Sequence, residues 1–186
     1  MTKDKDISAA STLKGERNRK PKVVIVGGGF AGIHAAKALA NSPVDVTLID
    51  RRNHHTFQPL LYQVALAVLT TSDIASPIRT MLRHARNVEV VMDEVVGFDT
   101  QTRQVIFDRG AQLNYDYLIV ATGATHSYFG HNEWEQRAPG LKTIDDALEI
   151  RRRVLLAFEL AERDALLGAC PSNRQVRGYE WNRTGT

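Results

Sequence analysis

The residues best placed to do chemistry are three glycines and an aspartate in "VVIVGGGFAGIHAAKALANSPVDVTLID", Val23 to Asp50. The spacing Gly27-x-Gly29-x-x-Gly32, with Gly28, Phe30 and Ala31 between, is that of a turn leading a strand into a helix around a pyrophosphate. The first glycine permits the tight turn. The second lets backbone approach the phosphates, and the third lets helix and strand pack closely. The helix that follows offers unpaired N–H groups and the positive end of its dipole to the phosphate charge. Asp50 stands 18 residues beyond Gly32, at the end of the next strand-like run, where a carboxylate can accept both hydroxyls of a ribose and would repel a 2′-phosphate. These features bound the ligand to an adenine dinucleotide. FAD and NAD share them, and a glycine-rich turn without a ligand uses the same letters.

A second motif separates the two cofactors. "YDYLIVATGA", Tyr115 to Ala124, is another apolar run ending in a small-residue turn, Ala121-Thr122-Gly123. Such a turn can lie against a flavin dinucleotide already held by the first, although alone it would be a plain core strand. Other constellations point to less. His54 and His55 are adjacent, project differently and lack a third ligand at metal spacing, so they are expected in a solvent-facing loop. His126, His131 and Glu133 share one loop without a fixed spacing, and no metal site is assigned. Arg151 to Arg153 are expected on the polar face of a helix. Cys170, the single cysteine, can form no internal disulfide and fits a reducing compartment.

The elements that must position these residues follow from the pattern. Val23 to Val26 is a continuous β-branched run, as in a parallel strand buried on both faces. Phe30 to Ala40 has helical spacing, "NSP" ends it, and "VDVTLID" forms the next strand, completing a β-α-β unit. "QPLLYQVA" (58–65) follows a polar loop. Ser72 to Arg86 is expected to be one helix with Pro77 in its first turn. Segments 88–98, 104–108 and 112–121 are expected to form an antiparallel meander. Asp145 to Leu167 is a long amphipathic helix, apolar at 147, 148, 150, 154, 155 and 158. The domain plan is therefore a disordered leader (1–21), a cofactor domain (22–144), the long helix (145–167) and an irregular tail (168–186).

Charge and composition exclude some classes. The chain has 186 residues, 43% of them apolar, and a formal charge of +3, enough for one domain with a core. Residues 1–22 hold seven Lys/Arg against three acids, and 171–186 hold three against one, so the body between them is mildly acidic. Basic tails rather than a basic folded face argue against nucleic-acid binding. Neither a secretory leader nor a run of about 18 apolar residues is visible, and a cytoplasmic location is the default expectation.

The segments "VVIVGGGFAGIHAAKALA", "VTLIDRRNHHTFQPLLYQVA", "SDIASPIR" and "YDYLIVATGATHSYFGHNEWEQRAPGLKTIDDALEIRRRVLLAFELAE" together resemble the N-terminal part of bacterial type II NADH dehydrogenases, from about Lys22 to about Arg163. The resemblance implies an α/β, Rossmann-like FAD-binding domain with a parallel sheet, flanking helices and an antiparallel β-meander, incomplete relative to the family. It implies non-covalent FAD, NADH as hydride donor and membrane quinone as electron acceptor. By position, Gly27 to Gly32 would bind the pyrophosphate, Asp50 and Arg51 the adenosine part, and Val95 would lie near the adenine. Ala121, Thr122 and Gly123 would line the flavin side, and Gln58, Pro59, Leu60 and Tyr62 would lie near the isoalloxazine. No catalytic side chain is required, because the flavin carries the chemistry. Full-length family members attach peripherally to the cytoplasmic face of the inner membrane through a C-terminal segment, and a homodimer is compatible with the family. The loss of pattern after Leu167, where a second glycine motif for NADH is expected, is read as the mark of a truncation or frameshift. A silent nucleotide-binding fragment is the alternative. Among other enzymes, a ferredoxin- or rubredoxin-reductase type is the nearer rival, since no cysteine pair supports a disulfide or sulfide reductase.

Overall fold

A computed structural model describes residues 19–168. The expected leader and tail lie almost wholly outside the described residues. Within them the chain forms two compact units, one containing residues up to His55 together with Ser76–Ala124, the other Thr56–Ala75 together with the residues from Thr125 onward.

The first unit is built on strand β1 (Lys22–Val26), which runs through Gly27–Gly29 into helix α1 (Phe30–Leu39) and on to β2 (Asp45–Asp50). Every residue of β1 after Lys22 is buried, as its unbroken β-branched sequence requires. The chain continues through β3 (His54–Thr56), and after the second unit's first segment it returns through β4 (Ala75–Pro77) and the one-turn helix α4 (Ile78–Met81). There follow β5 (Val88–Met92), β6 (Val95–Asp99), β7 (Gln104–Phe107), β8 (Gln112–Asn114) and β9 (Tyr117–Val120). Strand β1 pairs in parallel with β2 and β9, and β2 with β5, giving the sheet order β5-β2-β1-β9. β6, β7 and β8 form a separate antiparallel meander, with an irregularity between Val95 and Gly97.

Alternation along β1 divides its side chains between two cores. Val23 and Ile25 pack with Ile33 and Ala36 of α1, Leu48 of β2, and Ile78 and Leu82. Val24 and Val26 pack with Ile49 and with Val105 and Phe107 of the meander. The parallel sheet is thus covered on one face by helix and on the other by the meander. Asn87 ties the loop after α1 to the sheet, its Nδ2 donating to the carbonyls of Leu39, Ser42 and Val44 at 2.9–3.3 Å.

Three expectations are corrected here. Residues 72–86 are not one helix but α3 (Thr71–Ile74), then β4, then α4, and Pro77 ends β4 and caps the start of α4 instead of lying in the first turn of one long helix. Proline disfavours the helical region for the residue before it, so Ser76 is extended and the helix breaks there. Segment 88–98 divides at Asp93 and Glu94: β5 joins the parallel sheet and only β6 joins the meander. Segment 112–121 divides at Tyr115 and Asp116 in the same way, β8 to the meander and β9 to the parallel sheet. At that break the Asp116 carboxylate accepts from the Lys22 N–H at 2.7 Å and from Arg19 at 2.9 Å.

The second unit holds a 3₁₀ turn (Gln58–Leu60), α2 (Leu61–Ala65), α3, a 3₁₀ turn (Asn132–Gln136) and α5 (Ile144–Leu166). Its core is Leu61, Val64, Ala65, Ile74 and Ala147. Helix α5 matches its expected span to within one residue at each end, but Leu148, Leu155 and Phe158 of its apolar stripe are exposed. Its start is fixed by a reciprocal cap: Thr143 Oγ1 accepts from Asp146 N–H at 3.1 Å, and the Asp146 carboxylate accepts from Thr143 N–H at 2.8 Å and Lys142 N–H at 2.9 Å. Arg152 and Arg153 both bond Glu149, and Arg153 also reaches the Gln136 carbonyl. None of the helices among the described residues is long and apolar enough to cross a membrane.

Candidate functional site

The glycine turn of the first unit is held in place one peptide after another. Gly27 N–H donates to the Ile49 carbonyl at 2.8 Å, extending the β1–β2 pairing into the turn, and Ala121 N–H donates to the Val26 carbonyl at 2.8 Å on the other side. Gly28 N–H donates to Asp50 Oδ2 at 2.5 Å, and the other carboxylate oxygen accepts from Arg52 N–H at 2.7 Å. The Gly29 carbonyl accepts the first helical bond of α1, from Ile33 N–H at 3.0 Å.

The four glycines answer to different constraints. Gly27 has φ +110°, and a side chain there would collide with the Ala121 backbone. A Cβ on Gly28 would run into Ile78 Cδ1 and approach Asp50, and one on Gly32 would overlap the Gly27 carbonyl oxygen. All three are buried. Gly29 differs: it is exposed, its φ of −75° suits any residue, and a Cβ would meet nothing within 4 Å. The protein's own packing therefore explains three of the glycines, whereas no contact requires the fourth, the N-cap of α1. An anion brought close to backbone is what such a position fits.

Asp50 is half-buried at the end of β2. Each of its oxygens accepts one backbone N–H and retains a lone pair, so the carboxylate can still receive a pair of hydroxyls. Arg51 is exposed, its nearest acidic group being Glu94 at 3.9 Å. Val95 is half-buried at the start of β6, two residues past Asp93, whose N–H donates to the Asp50 carbonyl at 3.0 Å. Thr122 and Gly123 are exposed after β9, and Gly123 takes φ +73°. The structure thus brings Gly27, Gly28, Gly32, Asp50 and Ala121 into one neighbourhood. Gln58, Pro59, Leu60 and Tyr62 belong to the second unit. There Gln58 Oε1 accepts from Lys142 Nζ at 2.9 Å, Leu60 packs on the unit's core, and Tyr62 is half-exposed with its hydroxyl accepting from Gln63.

Two residues of this neighbourhood were not expected. Ile78, wholly buried, packs beneath Gly28. His55 is not in a solvent-facing loop: it lies in β3, 8% exposed, with Nδ1 3.0 Å from the Gly28 carbonyl and its ring edge-to-face with Phe30 at 4.9 Å. The sequence held a signal for it. Adjacent residues of a strand face opposite ways, so if the segment is extended one of two neighbouring histidines must point inward. In the second unit His131 bonds Glu133 at 3.1 Å and stacks on Trp134 at 4.4 Å.

A buried parallel β-α-β unit, a glycine turn with one open position and an acid closing the second strand define the dinucleotide-binding class. A model of the pyridine nucleotide-disulphide oxidoreductase family matches residues 21–170, and the chain belongs to that family. Over 150 residues it is 49% identical to the type II NADH:quinone oxidoreductase Ndh of Mycobacterium tuberculosis, covering 79% of this chain and 32% of that protein. Over 144 residues it is 51% identical to NdhA of the same organism, covering 76% and 31%. The solved structure of NDH2 from Plasmodium falciparum in complex with NADH superposes with a TM-score of 0.67 at 32% identity, over 76% of this chain and 30% of that one. The family resemblance carried by the motifs is therefore borne out, and so is the α/β fold with a parallel sheet and a meander. The chain spans about a third of the length of the curated relatives it matches.

Proposed function

We propose that this chain holds FAD for an oxidoreductase that takes hydride from NADH and delivers electrons to quinone. The carrying observation is Gly29, an exposed glycine at the start of α1 that no contact within the protein requires. The donors and reactants named by the relatives support the rest of the reading.

In this reading Gly27 to Gly32, with Phe30 and Ala31, face the pyrophosphate, and the N-terminal end of α1 stabilises its charge. Asp50 accepts the ribose hydroxyls while its bonds to Gly28 and Arg52 hold it still. Arg51 and Val95 serve the adenosine part, and Ala121, Thr122 and Gly123 the flavin side. Gln58, Pro59, Leu60 and Tyr62 serve the isoalloxazine, Gln58 being oriented by Lys142. Bound FAD supplies hydride acceptance and stepwise electron release; the protein supplies position and electrostatics.

The test is a spectrum of the purified chain followed by titration with FAD. Flavin absorption bands, and saturable quenching of flavin fluorescence, are expected. Asp50→Ala should weaken FAD binding by about tenfold or more, as loss of hydrogen bonds to a charged acceptor implies. Asp45→Ala, at the exposed start of the same strand, should leave it unchanged. A chain that takes up no flavin would refute the proposal, and equal affinities of the two variants would show the adenosine placement to be wrong. NADH oxidation with a soluble quinone, run on the same sample, separates flavin binding from turnover.

A further inference from the structure

His55 is a buried polar side chain that the proposed function leaves without a task. Among the described residues its one polar contact is Nδ1 to the Gly28 carbonyl at 3.0 Å. A carbonyl oxygen only accepts, so Nδ1 must carry the proton. That carbonyl belongs to the same peptide unit as the Gly29 N–H. In a planar trans peptide the C=O and N–H point in opposite directions, and no described bond is cis. Holding the Gly28 oxygen toward the buried imidazole therefore turns the Gly29 N–H away from it. Gly29 itself is exposed, a Cβ on it would meet nothing within 4 Å, and its N–H makes no backbone hydrogen bond among the described residues. The preceding peptide is fixed separately by the bond from Gly28 N–H to Asp50.

A glycine pair needs such fixing more than other residues do. Gly28 and Gly29 have the widest backbone freedom of any residue type, so an unrestrained Gly28–Gly29 peptide can flip and present its carbonyl to an incoming anion. We propose that His55 is a positioning residue for the dinucleotide turn: by donating Nδ1–H to the Gly28 carbonyl, it locks the Gly28–Gly29 peptide with the Gly29 N–H aimed at the pyrophosphate. The inference rests on the FAD-binding reading for the identity of the ligand, and on the structure alone for the lock. Phe30 holds the imidazole from its edge. Ile78 supports Gly28 from below.

The experiment uses the full 186-residue chain and three substitutions. His55→Asn keeps an N–H donor at the same number of bonds from the backbone as Nδ1. His55→Gln moves the donor one carbon farther out, and His55→Leu removes it while keeping apolar volume. Titration with FAD, followed by flavin fluorescence, should show Leu and Gln variants weakened about tenfold and the Asn variant within about threefold of the parent. Thermal melts of the same samples confirm that each is folded. An Asn variant as weak as the Leu variant, or a Leu variant as tight as the parent, would overturn the inference. Nitrogen-15 NMR of the imidazole reads the lock without any flavin. A proton on Nδ1 is expected, and a ring protonated at Nε2 alone would overturn the inference. The tautomer decides the lock whether or not FAD binds, so failure of the lock and failure of the flavin reading are told apart.

Discussion

The two compact units are ordered by different means. Among the described residues, thirteen buried apolar side chains lie in the first unit and five in the second. In the first, a central strand is covered on both faces, and its glycine turn is specified by steric contacts within the unit. In the second, a long helix contributes one buried residue, Ala147, with Ile144 and Ile150 packed half-buried beside it, and its start is fixed by its cap. The difference teaches where geometry is fixed by packing and where by local hydrogen bonds. The first kind of order should fail abruptly under substitution and the second by degrees.

The sharpest way to break that contrast is within the turn. Gly32→Ala should destabilise the chain by about 3 kcal/mol or more, because the new Cβ overlaps the Gly27 carbonyl and neither backbone can retreat. Gly29→Ala should leave the melting temperature unchanged and weaken only flavin binding. Equal melting temperatures for the two variants would remove the distinction between packed and ligand-facing glycines. Next in size, Leu61→Ala in the second unit should cost about 2–5 kcal/mol, since Leu61 is 1% exposed and belongs to a cluster of only five buried residues. Denaturant unfolding measures it, and a loss under 1 kcal/mol would mean that this small core does not hold the unit.

Smaller effects belong to the cap of α5. Thr143→Ala should cost about 1 kcal/mol, read as a lower melting temperature. Burial of Asp146 opposes its ionisation, but the backbone N–H groups of Lys142 and Thr143, the Thr143 hydroxyl and the nearby His126 together hold its carboxyl below the usual range. A carboxyl lowered in the folded state adds stability above its unfolded value, about 3.9, and that contribution is lost as pH falls through the folded value. Asp146→Asn should therefore flatten the stability profile below about pH 4. An acid limb as steep in the variant as in the parent would place the dependence elsewhere. Smallest of all is Glu149, drawn down to about 2 by its bonds to Arg152 and Arg153. These are surface i,i+3 and i,i+4 pairs, the Arg152 bond exposed and the Arg153 bond half-buried, so Glu149→Gln should change the melting temperature little at physiological salt.

The sequence made the β-α-β unit legible because three independent signals fell in register: a β-branched run, helical spacing after the glycines, and an acid at the end of the second strand. It also gave the long helix, whose capping residues Thr143 and Asp146 mark its start. It misled at Ser76-Pro77, where helical spacing outweighed the restriction that proline places on its neighbour. It misled again at Asp93-Glu94 and Tyr115-Asp116, because a strand that changes sheets and a strand that stays look alike in local hydropathy. The difference there is made by partners far away in sequence, such as Lys22 bonding Asp116. Ile78 was invisible as a site residue for the same reason, and strand alternation, which marks one of His54 and His55 as inward, does not say what it meets: both His55 and Ile78 touch Gly28, 27 and 50 positions earlier.

The approach of Gly27 to residue 121 has a consequence for how the protein can vary. The groups that a side chain at 27 would strike are the carbonyl carbon and oxygen of Ala121 and the nitrogen of Thr122, all backbone. No replacement of the side chain at 121 can remove them. The constraint runs one way only: heritable change at position 121 leaves Gly27 obligatory, and no compensating partner for a mutated Gly27 exists at that contact. Residues 27 and 121 should therefore touch in every descendant of this chain that keeps the fold, yet show no correlated substitution.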